Sequence, residues 1–270
     1  MGVLNVTPDS FFDGGLYLDT ERAVAHGLDM FRNGADVVDV GGESSRPGAE
    51  PVSEAEELRR VVPVIEALAR HGRVSIDTVK RAVAEAAVGA GATLVNDISA
   101  SLWPVAAESG VGWVAMHMQG APRTMQRAPR YHDVVAEVHA FLHERASAAL
   151  EGGVREVWVD PGIGFGKTVA HNLALLHHLP ELVDEGVPVL VGTSRKSFLG
   201  RLAPGPAGDP SSVAERLPGS IATATWAMLA GAAMVRVHDV SSARQAATLV
   251  GDTRLARRAP HPAPAVDAGR

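Results

Sequence analysis

Eight short apolar runs alternate along the chain with longer, Ala-rich stretches that have helical spacing. When a helix separates two strands, the second strand runs parallel to the first, because the chain must cross back before it pairs. Eight such units in about 250 residues match the size of a closed (β/α)8 barrel. The predicted strands are GVLNV (2–6), DVVDVG (36–41), RVSID (73–77), TLVND (93–97), GWVAMH (112–117), EVWVD (156–160), PVLVGT (188–193) and MVRVHD (234–239).

The alternative fold is an open, doubly wound parallel sheet. Such a sheet commonly carries a glycine fingerprint after its first strand, and this sequence has none there. The barrel is therefore favoured: a single (β/α)8 domain over residues 1–250, with its active site at the C-terminal ends of the strands. Residues 251–270 are rich in Pro and Ala, and we expect a frayed tail.

Composition excludes several classes of function. The net charge of −6 offers no basic footprint for nucleic acid. The chain has no cysteine, which excludes disulfides, thiol nucleophiles and Cys-ligated metals and fits a cytoplasmic protein. No apolar run approaches the ~20 residues of a membrane span, and the first residues lack the pattern of a secretory signal. We expect a soluble, cytoplasmic protein.

Almost every predicted strand ends in polar side chains. In a barrel these ends meet at one mouth, where the active sites of this fold lie. Each polar residue alone could cap a helix or satisfy a turn, but so many together favour a polar ligand. The residues are Asn5, Asp39, Asp77, Asn96, Asp97, His117, Asp160, Ser194, Arg236 and His238.

Two predicted loops supply cations. GGESSRPGAE places Arg46 next to a rigid Pro, an arrangement suited to phosphate. VGTSRKSFLG places Ser194 and Lys196 where a helix is predicted to begin, and free N–H groups there favour anions.

A third loop, DPGIGFGKT, resembles two glycine motifs but satisfies neither. The phosphate loop requires Gly where Pro161 stands, and the dinucleotide fingerprint requires Gly where Lys167 stands. We therefore expect only a flexible turn that carries Phe165 and Lys167 past the mouth.

These side chains together indicate a class of substrate. Carboxylates and an amide deep in the barrel suit a flat heterocycle that both donates and accepts hydrogen bonds, and the surrounding cations suit a phosphate or diphosphate leaving group. Asn5 offers a hard oxygen ligand for Mg2+. The heterocycle set is Asp77, Asn96 and Asp160, and the anion set is Arg46, Ser194, Lys196, Arg236 and His238.

Eight segments, in order along the chain, resemble the signature segments of the dihydropteroate synthase family. They are GVLNVTPDSFFDGG, DVGGESSRPGAEPVS, VSIDT, VNDIS, MHMQGAPRTMQ, DPGIGFGKT, GTSRKSFLG and RVHDV. The resemblance implies condensation of 6-hydroxymethyl-7,8-dihydropterin diphosphate with p-aminobenzoate, giving 7,8-dihydropteroate and diphosphate. It also implies a homodimer formed through the later barrel helices.

The resemblance assigns roles to individual residues. The implied catalytic set is Asp13, Asp160, Lys196 and Arg236, with Asp13 and Asp160 stabilising a pterin cation. Asp9 and Asp13 lie on a first loop that family members close over the substrates. The implied pterin pocket is Asp77, Asn96, Met116, Asp160, Gly192, Lys196 and Arg236; Asn5, Ser45, Arg46 and His238 meet diphosphate and Mg2+; Phe11, Pro47, Phe165, Lys196 and Ser197 frame p-aminobenzoate.

Two other functions are compatible with a pterin-binding barrel. A methyltransferase barrel would share strands three, four and six, but would not need the SRKS segment or the Asp-rich first loop. A catalytically silent relative would be expected to have lost Lys196, Arg236 or that loop. Phe12 and Ser45 depart from the commonest family residues, so the response to sulfonamides, which imitate p-aminobenzoate, is left open.

Overall fold

The computed structural model describes residues 1–7, 16–44, 50–205 and 208–250, with the side chains of residues 16–19 left aside. All eight predicted strands are present in this part of the chain. They are β1 (Gly2–Asn5), β2 (Val37–Gly41), β3 (Arg73–Asp77), β4 (Leu94–Asp97), β5 (Gly112–Met116), β6 (Val157–Asp160), β7 (Leu190–Val191) and β8 (Met234–Val235).

Helices follow every strand, as the alternating pattern predicts. They are α1 (Leu16–Arg32), α2 (Glu54–Leu68), α3 (Arg81–Gly89), α4 (Trp103–Ser109), α5 (Val134–Glu151), α6 (Val169–His177), α7 (Leu179–Asp184), α8 (Ser197–Leu202), α9 (Leu217–Leu229) and α10 (Val240–Val250), with a short 3-10 helix at Ala214–Arg216. No helix in the described ranges is both long enough and apolar enough to cross a membrane.

Local chemistry accounts for several helix ends. The Ser53 side chain accepts the N–H of Glu56, and Asp133 accepts the N–H groups of two residues in the first turn of α5. Gly110 ends α4 with φ of +69°, a conformation that costs glycine little. The two N-caps set where α2 and α5 begin, and Gly110 sets where α4 ends before β5.

The strands form a cylinder of parallel neighbours. β1 to β6 pair in sequence order, and β7 pairs with β8. Two parallel bridges join these sheets, Val159 to Val189 on one side and Gly2 to Val237 on the other. The N–H of Val3 donates to the carbonyl of Val237 at 2.9 Å, and so β8 lies against β1. This arrangement confirms the predicted (β/α)8 barrel.

β7 and β8 are shorter than their apolar runs. Pro188 has no N–H for the ladder, which delays the start of β7. β8 changes partner along its length: Met234 and Val235 pair with β7, whereas Val237 pairs with β1. The extended backbone therefore continues beyond the two regular pairs.

Successive side chains along each strand point alternately to the helices and into the barrel, and this forms two apolar layers. One face packs against the helices, with residues such as Val38 and Ile76 in the main core. The other face points into the barrel, where Met1, Val37, Leu94, Val114 and Leu190 form a smaller cluster. Because successive side chains alternate, the residues two positions further along β2 and β4 also face inward, and they are polar. The inner face therefore changes from apolar to polar toward the C-terminal ends.

Candidate active site

A cavity of about 340 Å3 opens at the C-terminal ends of the strands. Its walls come from β1, β3 and β8 and from the segments that follow β6 and β7. Nine of the predicted site residues line it: Asn5, Asp77, Phe165, Gly192, Ser194, Lys196, Ser197, Arg236 and His238.

Arg236 is held at the base of this cavity by carboxylates from two other strands. Its Nε donates to Asp39 Oδ2 at 2.6 Å, and its Nη2 donates to Asp77 Oδ2 at 2.8 Å. Asn96 Nδ2 donates to the same Asp39 oxygen at 2.9 Å. Burial lowers the pKa of Arg236, but the two carboxylates more than offset it and raise that pKa overall. The guanidinium is a permanent, fixed cation.

Asp39 is the member of this network to which sequence reasoning gave no role. It was one polar strand end among ten, and its side chain is completely buried. Its position in the middle of β2, two residues before Gly41, marks it as inward-facing but does not reveal its partners. The contact with Arg236 spans 197 positions of sequence, and no local pattern signals such a pair.

Asp77 has a pKa raised well above its usual range. Burial is the largest cause, and the charges of Asp39, Glu57 and Asp97 act in the same direction. The charge of Arg236 opposes the shift without cancelling it, because burial has the larger effect. A carboxyl group in this state can hold or release a proton near neutral pH.

Lys196 lies on the opposite side of the cavity. Its Nζ donates to the carbonyl of Ile163 and sits 4.7 Å from the centre of the Phe165 ring. Burial lowers its pKa to about 8, although the nearby charge of Asp160 raises it. Asp160 accepts the N–H of Gly162 at 2.7 Å, and burial raises its pKa against the charge of Lys196.

The chain matches the family model described as "Pterin binding enzyme" over residues 1–238. A dihydropteroate synthase of Mycobacterium leprae is 49% identical over 261 residues, covering 93% of this chain and 92% of the relative. The chain belongs to the dihydropteroate synthase family.

Solved dihydropteroate synthases share the fold. The enzyme of Xanthomonas albilineans, determined with 4-aminobenzoic acid, has a TM-score of 0.86 and 46% identity, covering 96% of this chain and 93% of the other. The enzyme of Yersinia pestis, determined with a sulfonamide drug, has a TM-score of 0.86 and 43% identity. The match covers 94% of this chain and 93% of the Yersinia enzyme. Dihydropteroate synthases are transferases, and this chain is one of them.

The turn that presents Lys196 in this dihydropteroate synthase depends on its neighbour Arg195. Arg195 has φ of +59°, a left-handed conformation unusual for a residue with a side chain. Its N–H donates to Ser220 Oγ at 2.8 Å, and Arg216 donates to its carbonyl at 3.1 Å. Its guanidinium pairs with Asp239 at 2.7 Å. These contacts hold the strained backbone that turns Lys196 toward the cavity.

His238 lies beside Ser194 at the edge of the cavity. The N–H of His238 donates to Ser194 Oγ at 3.2 Å, and its Nδ1 lies 3.0 Å from the same oxygen. The two side chains come from the ends of β8 and β7, which are 44 positions apart in sequence. The predicted convergence of these two strand ends is therefore present.

The loop after β6 differs from the expected flexible turn. Lys167 does not pass the mouth: it is only 2% exposed and lies against His117. Sequence reasoning missed this because the polar residue next to its glycines resembles an exposed loop lysine. Phe165 does face the cavity, as expected.

Three predicted pterin residues, Asn96, Met116 and Asp160, are buried at the ends of β4, β5 and β6 and do not line this cavity. A second cavity of about 820 Å3 adjoins it and shares Ser44 and Asp77. Other predictions lie outside the described residues and stay predictions: Asp9, Phe11, Asp13, Ser45, Arg46 and Pro47.

Proposed function

We propose that this chain joins p-aminobenzoate to the methylene carbon of 6-hydroxymethyl-7,8-dihydropterin diphosphate, giving 7,8-dihydropteroate and diphosphate. The observation that carries the proposal is one cavity that gathers Asp77, Lys196 and Arg236 beside the Phe165 ring. An acid, two cations and an aromatic wall match a heterocycle, an anionic leaving group and an arylamine.

The pterin would bind toward the inward-facing acids. A ring edge that carries an amino group and an N–H resembles a guanidine, and a carboxylate can accept one hydrogen bond from each of these two groups. Asp160 and Asp77 are the carboxyl groups placed for this contact, and burial strengthens their electrostatic effect. Asn96 and Met116 would complete the pocket at the strand ends.

The diphosphate would leave toward the cations at the cavity edge. Breaking the C–O bond puts negative charge on the diphosphate, and preorganised donors stabilise that charge. Arg236 and His238 line the cavity here, and we place Ser45 and Arg46 with them. The methylene carbon becomes cationic, and the buried carboxylate of Asp160, with Asp13, would stabilise it.

The arylamine then attacks that carbon. The neutral nitrogen supplies the electron pair for the new C–N bond and afterwards releases one proton. No enzyme nucleophile is required by this route. Phe165, Lys196 and Ser197 would frame p-aminobenzoate, together with Phe11 and Pro47.

Asn5 is the residue that we propose as the protein ligand of Mg2+. A Cβ added to Gly41 would lie 3.7 Å from Asn5 Oδ1 and 3.7 Å from Asp77 Oδ2, so glycine leaves both oxygens open to a shared space. Mg2+ prefers oxygen ligands and often takes most of them from water and substrate phosphates. The ion would withdraw electron density from the leaving diphosphate when bound.

The direct test is to incubate the purified protein with the pterin diphosphate, p-aminobenzoate and Mg2+ and to measure dihydropteroate by mass spectrometry. We expect product with Mg2+ and little when EDTA is present. Folded protein that forms no product would leave the silent relative as the better description. Product from a methyl donor instead would favour the methyltransferase.

We also propose that two copies pair through α9 and α10. In the described part of the chain, Trp226 and Leu229 lie three positions apart on α9 and are 38% and 67% exposed; Leu249 on α10 is 83% exposed. α9 packs against α10, and we place these exposed side chains on one apolar surface of the helix pair. A second copy of the chain, presenting the same patch, would cover it.

Leu229→Glu tests this pairing because it places a charge in the centre of the patch. We expect the molecular mass from light scattering to fall from two chains to one. Leu150→Glu, at another exposed Leu on α5, is the control and should remain dimeric. A wild-type protein of one-chain mass at all concentrations would remove the proposal.

A further inference from the structure

Only three of the 25 basic residues are lysines, and each lies in a segment that follows the C-terminal end of a strand. Lys80 follows β3 and pairs with Glu43 and Glu57. Lys196 lines the cavity, and the remaining lysine, Lys167, follows β6. The reaction described above gives Lys167 no task.

Lys167 makes three contacts that match the three N–H bonds of an ammonium group. Its Nζ lies 2.9 Å from His117 Nδ1, 3.1 Å from the carbonyl of Phe165 and 3.3 Å from the carbonyl of His117. Among the described residues, no carboxylate lies within ion-pair distance of it. Burial lowers the pKa of Lys167 to about 7, Asp160 opposes this, and Lys196 adds to it. The ammonium thus binds mainly to carbonyl oxygens and a ring nitrogen.

His117 accepts through its ring nitrogen because it is held neutral. Burial lowers the pKa of His117 to about 3, and the charge of Lys167 acts in the same direction. The ring packs edge-on against Phe141 on α5 at 5.0 Å between centroids. His117 is therefore a rigid acceptor at the end of β5.

The loop over residues 161–168 folds around this lysine. Gly162 passes so close to β5 that an added Cβ would lie 1.8 Å from the carbonyl of His117. From the outside, Tyr131 donates to the carbonyl of Gly166 at 2.9 Å, and Gln126 donates to the carbonyl of Gly164 at 2.5 Å. Lys167 is the only one of these donors that binds the loop from within.

Two groups of this loop lie against Lys196. The centre of the Phe165 ring lies 4.7 Å from Lys196 Nζ, and the carbonyl of Ile163 accepts a hydrogen bond from the same Nζ. The Phe165 carbonyl, on the other side of the same residue, is held by Lys167. The position of the ring thus depends on a lysine that the substrate does not touch.

We propose that Lys167 is a positioning residue that fixes the 161–168 loop against His117 and thereby sets the Phe165 wall of the arylamine site. The proposal rests on the proposed function, since it assigns that wall to p-aminobenzoate. If this is its role, substitution of Lys167 should raise KM for p-aminobenzoate and leave KM for the pterin diphosphate nearly unchanged. A general loss of folding would affect both substrates.

Lys167→Met removes the three donors and keeps a similar shape. We expect KM for p-aminobenzoate to rise about tenfold, since an aromatic and cation–π wall contributes on that scale. KM for the pterin diphosphate should change less than about twofold, and kcat should be largely retained. Tyr131→Phe removes one outer hydrogen bond of the same loop and should raise KM for p-aminobenzoate by a smaller factor.

Leu182→Ala is the stability control. Leu182 is buried in α7, in the main core, and its truncation destabilises the fold without touching the loop. We expect a lower melting temperature with both KM values unchanged. Equal changes in the two KM values of Lys167→Met, or an unchanged KM for p-aminobenzoate, would overturn the positioning role.

The chain contains no cysteine, which allows a rescue experiment. Lys167→Cys, alkylated with 2-bromoethylamine in denaturant and refolded, regains an ammonium at nearly the same length. KM for p-aminobenzoate should return toward that of wild type treated in the same way. Failure of the refolded, alkylated protein to recover while the treated wild type does would count against the proposal. Activity of the wild type itself is unaffected by either result, so the proposed function is tested separately.

Discussion

The two sides of the mouth hold buried cations in different ways. On the side of β2, β3 and β8, Arg236 is fixed by the carboxylates of Asp39 and Asp77. On the side of β6 and β7, Lys196 and Lys167 bind mainly carbonyl oxygens and rings. The first arrangement keeps a permanent charge, whereas the second lowers the pKa of each lysine toward neutrality. The guanidinium therefore keeps its charge at all working pH values, whereas the protonation of the two ammonium groups changes with pH near neutrality.

The largest expected effect is on the lysine side. Lys196→Ala removes a cation that forms no ion pair with a carboxylate among the described residues, and we expect kcat/KM to fall about a thousandfold, as when a preorganised donor is lost from an active site. Steady-state kinetics with both substrates measures it. Arg201→Ala, five residues further along α8 and exposed, is the matched control and should behave as wild type. Near-normal kinetics in Lys196→Ala would remove this lysine from the reaction.

The next largest effect is expected when the carboxylate network around Arg236 is broken. Asp39→Ala leaves Arg236 with one carboxylate and Asn96 without its acceptor, so we expect the free energy of unfolding to fall by about 3 kcal/mol. Urea denaturation followed by circular dichroism measures it. Asp29→Ala breaks an exposed pair with Arg32 and should cost less than about 1 kcal/mol. A cost for Asp39→Ala as small as that control would show that the network does not support the fold.

A smaller effect is expected on the pH dependence of the reaction, because Lys196 and Arg236 lose their protons at different pH values. Lys196 is cationic below its pKa of about 8 and becomes neutral above it, so the log of kcat/KM should decline as pH rises through 8. The raised pKa of Arg236 keeps its charge throughout this range. At pH 9 the loss should be about tenfold, since one pH unit above a pKa leaves a tenth of the group protonated. An alkaline limb that persists in Lys196→Arg would assign it to another group.

Substitution of Lys167 should have an effect of similar size, but a selective one. If Lys167 fixes the Phe165 wall through its ammonium, the difference in KM for p-aminobenzoate between Lys167→Met and wild type should shrink as Lys167 itself loses its proton near pH 7, the value to which burial lowers its pKa. Among the described residues, the titratable groups that interact with it are Asp160, Lys196, His117 and His171. Between about pH 6 and 7.5, where Lys196 is still mostly protonated, the KM of wild type for p-aminobenzoate should therefore rise with pH, and that of Lys167→Met should not.

Much of the site could be predicted from the sequence, because in a barrel the position of a residue along its strand determines where it lies relative to the mouth. Asp77, Arg236 and His238 end strands, and every C-terminal strand end reaches the same mouth. Lys196 was recognisable because it follows β7 directly. By contrast, Lys167 has the local sequence of an exposed loop residue, and its burial depends on glycines that let the loop pass close to His117.

The sequence by itself determined the eight strand–helix units, the apolar face of each strand and the set of polar side chains at the strand ends, because these depend on local spacing and alternation. Only the tertiary structure decided which of those polar groups pair. Arg236 pairs with Asp39, 197 positions away, and Lys167 contacts His117, 50 positions away. Closure of the cylinder brings together strands that no local sequence pattern relates. Burial at those contacts then set the charge of each group, since desolvation depends on what surrounds a side chain after the chain has folded.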